Sequence, residues 1–355
     1  MITALPLLAP AVFVIIGFVY MRREMPRGSA QLRLGEYAGL AAMVVSLGSL
    51  GLLVASGSAT SPLIGAAEMG LAARIDAVSV TMLILVSFIG WVVMRFAVTY
   101  TDGEANQTRF LGWLNLGLAS VLLLVTAGNL IQLIIGWGAV GLCVNRLLLT
   151  YPERAAAQRA ARKKALCSMA SDGGLILGAF ALAAAYGTAD IHTIIEAARA
   201  GEGGGAAILA AGLLAISALF KSAQVPTHGW LTEVMEAPTP VSALLHAGVV
   251  NAGGFLLIRF ADVMLLAPGV LSVLVILGGF SALFGGLVML TQPSVKTSLA
   301  WSTVAQMGFM ILQCGLALFP LALLHIVAHS LYKAHAFLSA GGAVQRVVAI
   351  RKPGP

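Results

Sequence analysis

The sequence predicts an all-α polytopic membrane protein, and three observations support this fold class. Hydrophobic residues make up 59% of the 355 residues and charged residues only 10%, and the mean hydropathy is +0.95. The chain holds 40 glycines, which are more frequent in membrane helices than in soluble ones. Apolar stretches of about 20 residues, the length needed to cross a bilayer as a helix, recur along it. An ordinary soluble domain would carry more charge.

The apolar stretches predict about eleven transmembrane helices. In chain order they cover residues 2–21, 36–56, 77–100, 109–127, 129–150, 165–187, 204–223, 239–260, 266–290, 297–319 and 320–344. The first has neither a basic start nor a small-residue cleavage site, so we expect it to be retained as a span. Residues 57–76 are predicted to form a surface loop, and residues 190–200 a short amphipathic helix at the membrane surface.

The distribution of lysine and arginine predicts the orientation of the chain. If the loops alternate between faces, one face carries most of the cations: Arg22, Arg23, Arg27, Arg33, Arg109, Arg154, Arg159, Arg162, Lys163, Lys164, Lys296, Arg346, Arg351 and Lys352. The other carries only Arg74, Arg199 and Arg259. The positive-inside rule then places the first face in the cytoplasm. We therefore expect a multi-pass inner (plasma) membrane protein with its N-terminus outside and its C-terminus in the cytoplasm.

This charge distribution also bears on partners. Cytoplasmic loops account for the net charge of +7, so no nucleic-acid partner is predicted. The loop at 151–164, YPERAAAQRAARKK, is basic enough to contact anionic lipid or an acidic soluble partner.

No cofactor or metal site is predicted within this chain. Cys143, Cys167 and Cys314 are scattered, without a CxxC pair or a histidine at ligand spacing, so neither an iron–sulfur nor a zinc site is indicated. The glycines of GEGGGAA at 201–207 do not follow a strand and do not indicate nucleotide binding. The sequence therefore gives no catalytic residue and no redox centre.

Lys221 is the candidate functional residue that the sequence marks most clearly. It lies at the end of an apolar run, and a cation at bilayer depth costs about 2.5–3.5 kcal/mol on insertion scales. Pro226 breaks the helix directly afterwards, and Pro238 and Pro240 precede the next one. Broken helices in membranes are tolerated beside water-filled cavities or other protein. We predict that an ion or proton path crosses here, although Lys221 could also snorkel to the interface.

Further ionisable residues extend this path in the sequence. His246 lies in the next helix, and His325, His329 and Lys333 recur at intervals of four residues, which places them on one helical face. Three acids could partner Lys221, and the sequence does not choose among them: Asp172, Glu233 and Glu236. Four of these residues also have a structural interpretation. His246 could be a packing residue, Lys333 a snorkelling cation, and Glu233 and Glu236 solvated loop acids.

The motifs around these residues resemble a known family. The run KSAQVPTHGWLTEVMEAPTPVSALLHAGVVNAGGFLLIRF at 221–260, with GWGAVGLC at 136–143 and HIVAHSLYKAHAFLSAG at 325–341, is similar to the antiporter-like membrane subunits of respiratory complex I, subunit-5 type, and of sodium/proton antiporters. The resemblance implies inverted five-helix repeats with broken helices and a hydrophilic axis that moves protons. It implies that Lys221 is the broken-helix lysine, His246 the histidine that follows, and His325, His329 and Lys333 the connecting residues of the second repeat.

The same resemblance implies a division of the chain into three parts. Residues 1–108 would be N-terminal helices, residues 109–262 the first repeat with the break near 221–240, and residues 263–355 an incomplete second repeat. Relatives continue through a second broken helix, so the sequence is either a shortened subunit or a fragment, or a neighbouring protein completes the path; we expect a protein neighbour.

Two departures narrow the resemblance to the membrane subunits of Dab inorganic-carbon accumulation systems. Family members carry a glutamate after the Gly-Trp of the fifth helix, but Gly138 and Ala139 stand here, and Glu236 directly precedes Ala237-Pro238. The resemblance implies a large soluble partner similar to β-carbonic anhydrase that holds zinc, with Glu233 or Glu236 replacing the missing acid. The alternatives are a proton-pumping subunit of an NADH or ferredoxin–quinone oxidoreductase and a cation/proton antiporter subunit.

Overall fold

The fold is a bundle of membrane-length helices, as predicted. The computed structural model describes residues 2–66, 69–234 and 237–341. Its α-helices are α1 (Leu8–Arg22), α2 (Leu34–Ser56), α3 (Ala77–Tyr100), α4 (Gln107–Val125), α5 (Leu130–Leu148), α6 (Ala155–Tyr186), α7 (Ile191–Arg199), α8 (Gly204–Lys221), α9 (Gly229–Glu233), α10 (Thr239–Ala247), α11 (Ala252–Arg259), α12 (Ala261–Leu265), α13 (Pro268–Leu290), α14 (Val295–Gly315) and α15 (Phe319–Gly341). Short 3-10 turns precede α1 and α2 and link α10 to α11.

Ten helical stretches in the described ranges are long and apolar enough to cross a bilayer. They correspond to ten of the predicted spans, with α10 and α11 together forming one of them, Thr239–Arg259. The remaining predicted span, 297–319, is occupied by α14, a 21-residue helix with several hydroxyl and amide side chains. The all-α polytopic class is therefore confirmed, whereas the inverted repeat and the three-part division stay predictions.

Close approach between neighbouring helices depends on small residues, as is common in membrane bundles. The contact between α13 and α14 is an example. A Cβ atom added to Gly278 would lie 2.5 Å from the Leu312 nitrogen, and one on Gly308 would lie 2.5 Å from the Ala282 nitrogen. Almost all residues of α10 and α11 are buried, so this span forms the centre against which the other helices pack.

The loop predicted at 57–76 is wrong in part, because the segment forms short strands. β1 (Ala59–Thr60) pairs antiparallel with β4 (Arg74–Ile75), and β2 (Ile64–Ala66) pairs antiparallel with β3 (Met69–Leu71). The segment also bonds to the start of α5, since the Gln132 side chain accepts from the Ala72 nitrogen at 2.9 Å. The partners in the β1–β4 pair and in the Gln132 bond are distant in sequence, which is why local composition did not indicate them.

The sixth span begins earlier than predicted. α6 starts at Ala155 and has 32 residues, about 48 Å at 1.5 Å per residue, which exceeds the hydrocarbon core of about 30 Å. The basic stretch at 151–164 is therefore mostly the first turns of this helix and not a loop. The short amphipathic helix is confirmed as α7, with Ile191, Ile194 and Ile195 buried.

Candidate functional site

The helix break at Lys221 is present in the structure. α8 ends at Lys221, and Ala223 takes a left-handed φ of 50°, which costs a residue with a Cβ roughly 1–2 kcal/mol. Pro226 follows, and Pro238 and Pro240 stand at the start of α10. The ammonium group is not left at a surface, since Lys221 is 5% exposed. Lys221 therefore does not snorkel to the interface.

The surroundings of Lys221 identify its acidic neighbour. Its Nζ donates to the Trp137 carbonyl at 3.2 Å and lies 4.4 Å from the centre of the Trp137 ring, a favourable position for a cation over an aromatic face. The Asp172 Oδ1 is 4.0 Å away, close enough for direct charge attraction. Two of the three acids that the sequence left open, Asp172 and Glu233, lie within the described residues, and of these two the structure places Asp172 beside Lys221.

Glu233 lies elsewhere in the broken segment. Its carboxylate pairs with Lys163 near the start of α6, and both side chains are partly exposed. In the structure Glu233 is therefore not beside Lys221, and the expectation that it replaces the missing fifth-helix acid there is wrong. Glu236 lies outside the described residues, so its role stays a prediction.

A second buried lysine completes the cluster, and the sequence analysis missed it. Lys164 had been assigned to a basic loop, but it is 4% exposed and donates to the Gly141 carbonyl of α5. A Cβ added to Gly141 would lie 3.8 Å from Lys164 Nζ and 3.9 Å from Asp172 Oδ2. The Asp172 carboxylate is therefore near both lysines. The available signal was the spacing of Lys164 and Asp172, two intervals of four residues apart in a helical stretch, which brings both to one side of α6.

The space beside these groups is small and has a mixed polar and apolar lining. A cavity of about 10 Å³ is lined by Gly141, Lys164, Ser168, Lys221 and neighbouring side chains, at the lower limit for one water molecule. Asp172 Oδ1 has no hydrogen-bond partner among the described residues. We refer to Lys164, Asp172, Lys221 and the carbonyls of Trp137 and Gly141 as the lysine–aspartate cluster. In this cluster a proton can reside on Lys221 or on Lys164, because one protonated lysine is enough to balance the charge of the single Asp172 carboxylate.

The broken segment between α8 and α10 carries a partly buried histidine. His228 packs against the Trp301 ring, with centroids 4.9 Å apart, and this burial lowers the pKa of His228 below its ordinary value. The neutral imidazole is therefore favoured near neutral pH.

His246 belongs to a second cluster, centred on α10, α14 and α15. It is fully buried, its ring stacks on Phe337 at 4.4 Å, and its Nδ1 is 3.1 Å from the Thr303 Oγ1. Its Nε2 has no hydrogen-bond partner among the described residues. The helix is interrupted two residues later at Gly248, a second break that the sequence analysis missed.

Lys333 connects to His246 through α14. Its Nζ donates to the Leu299 carbonyl at 2.9 Å and to the Ser302 hydroxyl, and the Thr303 hydroxyl donates to the same carbonyl at 3.0 Å. Together with the His246–Thr303 contact, these bonds join His246 to Lys333. Ser302 and Thr303 were not identified from the sequence, where they are two of several hydroxyl and amide residues in this helix and carry no distinguishing signal.

The two remaining histidines of the predicted face are close but not directly bonded. The rings of His325 and His329 are 6.1 Å apart, and neither nitrogen of the buried His329 has a hydrogen-bond partner among the described residues. Both histidines and Lys333 line an open cavity of about 670 Å³ between α14 and α15. We call His246, Thr303, His325, His329 and Lys333 the histidine–lysine cluster.

A separate ion cluster ties β4 and the start of α3 to α11. Arg259 donates to Asp76 Oδ2 at 2.5 Å and Arg74 donates to the same oxygen at 2.6 Å. Burial alone would raise the pKa of Asp76, but the two guanidinium groups outweigh it and hold that pKa well below its usual range. The sequence analysis had counted Arg74 and Arg259 only as cations of one face. The structure gives them a structural role.

A bundle of membrane-length helices with a broken helix and buried lysines is the class of structure expected of an antiporter-like membrane subunit. The model of the family described as "NADH:quinone oxidoreductase/Mrp antiporter, TM" matches residues 127–352. The model described as "NADH-Ubiquinone oxidoreductase (complex I), chain 5 N-terminus" matches residues 63–111. The chain therefore belongs to the NADH:quinone oxidoreductase/Mrp antiporter family of membrane subunits, which confirms the resemblance found in the sequence.

Individual relatives refine this placement. The probable inorganic carbon transporter subunit DabB of Hydrogenovibrio crunogenus is 43% identical over 76% of this chain and 53% of that protein. The NADH-quinone oxidoreductase subunit L of Mycobacterium tuberculosis is 36% identical over 79% of this chain and 44% of that protein. The fold matches a chain of the Mrp complex from Dietzia with a TM-score of 0.81 and 27% identity, over 95% of this chain and 37% of that chain. The chain spans about half the length of the curated relatives it matches.

Proposed function

We propose that this chain is the proton-conducting membrane subunit of a complex that energises the uptake of inorganic carbon. The observation that carries the conducting role is the lysine–aspartate cluster, two buried lysines near one carboxylate beside a helix break. Ionisable groups at membrane depth are costly and are concentrated on ion pathways. The carbon-uptake role is supported by the 43% identity to a protein named as a probable inorganic carbon transporter subunit.

In the proposed mechanism, water enters through the broken segment and delivers a proton to Lys221. The Asp172 carboxylate stabilises the ammonium form by charge attraction, and the Trp137 carbonyl holds its orientation. When Lys221 loses the proton, Lys164 remains as the counter-ion of Asp172, so the carboxylate is not left unpaired in a low-dielectric site. The proton then passes towards the histidine–lysine cluster, where His246 and Lys333 share the Thr303 and Leu299 oxygens.

The chemistry of carbon uptake is assigned to a partner. We propose a large soluble zinc protein of the β-carbonic-anhydrase type, in which proton entry drives hydration of CO2 to bicarbonate. The membrane is the inner membrane, with the N-terminus outside. The second candidate is a proton-pumping subunit of a quinone oxidoreductase, which the 36% identity to a subunit L favours.

Affinity purification of the full-length protein from its native membrane distinguishes the two. A co-purifying soluble protein with one bound zinc per active site supports the first proposal. A set of quinone-oxidoreductase subunits would overturn it in favour of the second.

A growth assay then tests the conducting residue. Expressed with its partner, the wild-type protein should restore growth in air of a host that lacks carbonic anhydrase. Lys221→Ala should abolish this rescue at an unchanged protein level, since the cluster loses the group that carries the proton. Lys163→Ala is the control. It removes a partly exposed lysine that pairs with Glu233, and the host that expresses this variant should still grow. Growth of Lys221→Ala at the wild-type rate contradicts the proposed role.

A further inference from the structure

A cationic cavity lies away from both clusters, where α4 begins and α5 ends. It has a volume of about 270 Å³, and its lining includes Asn106, Arg109, Phe110, Trp113 and Arg146. Arg109 is in the first turn of α4 and Arg146 in the last turns of α5. Because both helices are membrane-length, the cavity lies at the boundary between the bilayer and water.

The charge of this cavity is positive. No acidic side chain is among the residues that line it, and both arginines are exposed. An adjoining cavity of about 660 Å³ shares Asn106 and Arg109 and adds Arg22, Arg23 and Arg27 at the end of α1, with Glu24 and Glu104. Glu104 is engaged towards the neighbouring loop: burial raises the pKa of Tyr151 and the nearby Glu104 carboxylate raises it further. The arginines therefore outnumber the acids that could neutralise them.

The inner wall of the smaller cavity is apolar. Phe110 and Leu147 are buried, and the Arg146 guanidinium lies 5.8 Å from the centre of the Trp113 ring. Arginine on an aromatic face keeps its charge and its outward hydrogen-bond donors. The cavity thus combines fixed cations at the water side with an aromatic and aliphatic wall at the bilayer side. A soluble anion needs only the first of these features, whereas a phospholipid uses both.

We propose that this cavity binds the phosphate of an anionic phospholipid headgroup, with Arg109 and Arg146 as the phosphate ligands and Trp113 against the glycerol and upper acyl region. Arginine suits this role because its planar guanidinium can donate two parallel hydrogen bonds to phosphate oxygens. The proposal does not depend on the function proposed above.

Native mass spectrometry of the delipidated, full-length protein provides the test. Dioleoyl-phosphatidylglycerol should bind at least about tenfold more tightly than dioleoyl-phosphatidylcholine, since two arginines each contribute to attraction of an anionic headgroup. Arg109→Gln and Arg146→Gln should each weaken phosphatidylglycerol binding about fivefold and weaken phosphatidylcholine binding less, so that the preference for phosphatidylglycerol falls. Arg146→Lys keeps the charge but loses the planar guanidinium, so it should bind phosphatidylglycerol more tightly than Arg146→Gln does. This retained binding guards against a variant that simply misfolds.

The matched control is Arg162→Gln, an exposed arginine of α6 that does not line either cavity. It should bind phosphatidylglycerol as the wild type does. Equal binding of the two lipids, or an equal loss in Arg162→Gln, overturns the proposal. Sodium phosphate is the second arm: if it competes with phosphatidylglycerol at equal concentration, the site takes free phosphate and the lipid assignment is wrong.

Discussion

Asp172→Asn tests the lysine–aspartate cluster most directly. The substitution keeps the size of the side chain and removes its charge 4.0 Å from Lys221 Nζ. Unit charges at about 4 Å attract by about 1 kcal/mol in bulk water and about 4 kcal/mol at the effective dielectric constant of 20 that suits protein sites. The Asp172 side chain is 32% exposed and Lys221 5%, so partial solvent screening sets an intermediate value of about 2 kcal/mol.

This free energy applies to every step that requires the ammonium form of Lys221. At about 1.4 kcal/mol per factor of ten, proton flux should fall about thirtyfold. The assay uses full-length protein with its partner in proteoliposomes, with an imposed membrane potential and a pH-sensitive dye inside. Asp172 Oδ1 has no hydrogen-bond partner among the described residues, so the stability lost should not exceed about 2 kcal/mol, the attraction that is removed. A thermal unfolding scan in detergent then separates loss of function from loss of fold.

Glu233→Gln is the matched control. It removes the other described acid that the sequence offered, one that pairs with Lys163 and not with Lys221. Its flux should stay within about twofold of the wild type, because partly exposed ion pairs contribute only about 0–1 kcal/mol. The proposed role of Asp172 is contradicted if Asp172→Asn conducts within twofold of the wild type, or if the two variants lose flux equally.

Two further predictions concern the site and the fold. The double variant Asp172→Asn with Gly138→Glu should conduct at least about tenfold faster than Asp172→Asn alone in the same assay. A Cβ at Gly138 meets nothing within 4 Å, and the new acid follows Trp137, whose carbonyl binds Lys221. No recovery would mean that this position does not face the cluster. Asp76→Asn should lower stability by about 3–5 kcal/mol, the usual cost of breaking a buried pair, in chemical unfolding at neutral pH. The folded pKa of Asp76 is depressed, so this stabilisation is complete above the ordinary carboxyl pKa and declines as the pH falls; wild-type and variant melting temperatures should converge in acid, and a constant difference would contradict the assignment.

The sequence alone determined the fold class, nearly all of the spans, the helix break after Lys221 and the one-sided spacing of His325, His329 and Lys333. These features follow from local quantities: the apolar length that crosses a bilayer, the missing donor of proline and the 3.6-residue helical period. The motifs around Lys221 and His246 also identified the family. No distant contact was needed for any of them.

Tertiary structure decided which groups meet. The Lys221 Nζ and the Trp137 carbonyl that it binds are 84 residues apart, and the choice of Asp172 over Glu233 depends on how α5, α6 and α8 pack. The burial of Lys164 and the link from His246 through Thr303 to Lys333 have the same origin. Charged and hydroxyl side chains can satisfy their hydrogen bonds with many partners, so their pairing is set by which helices the apolar surfaces and small residues bring together.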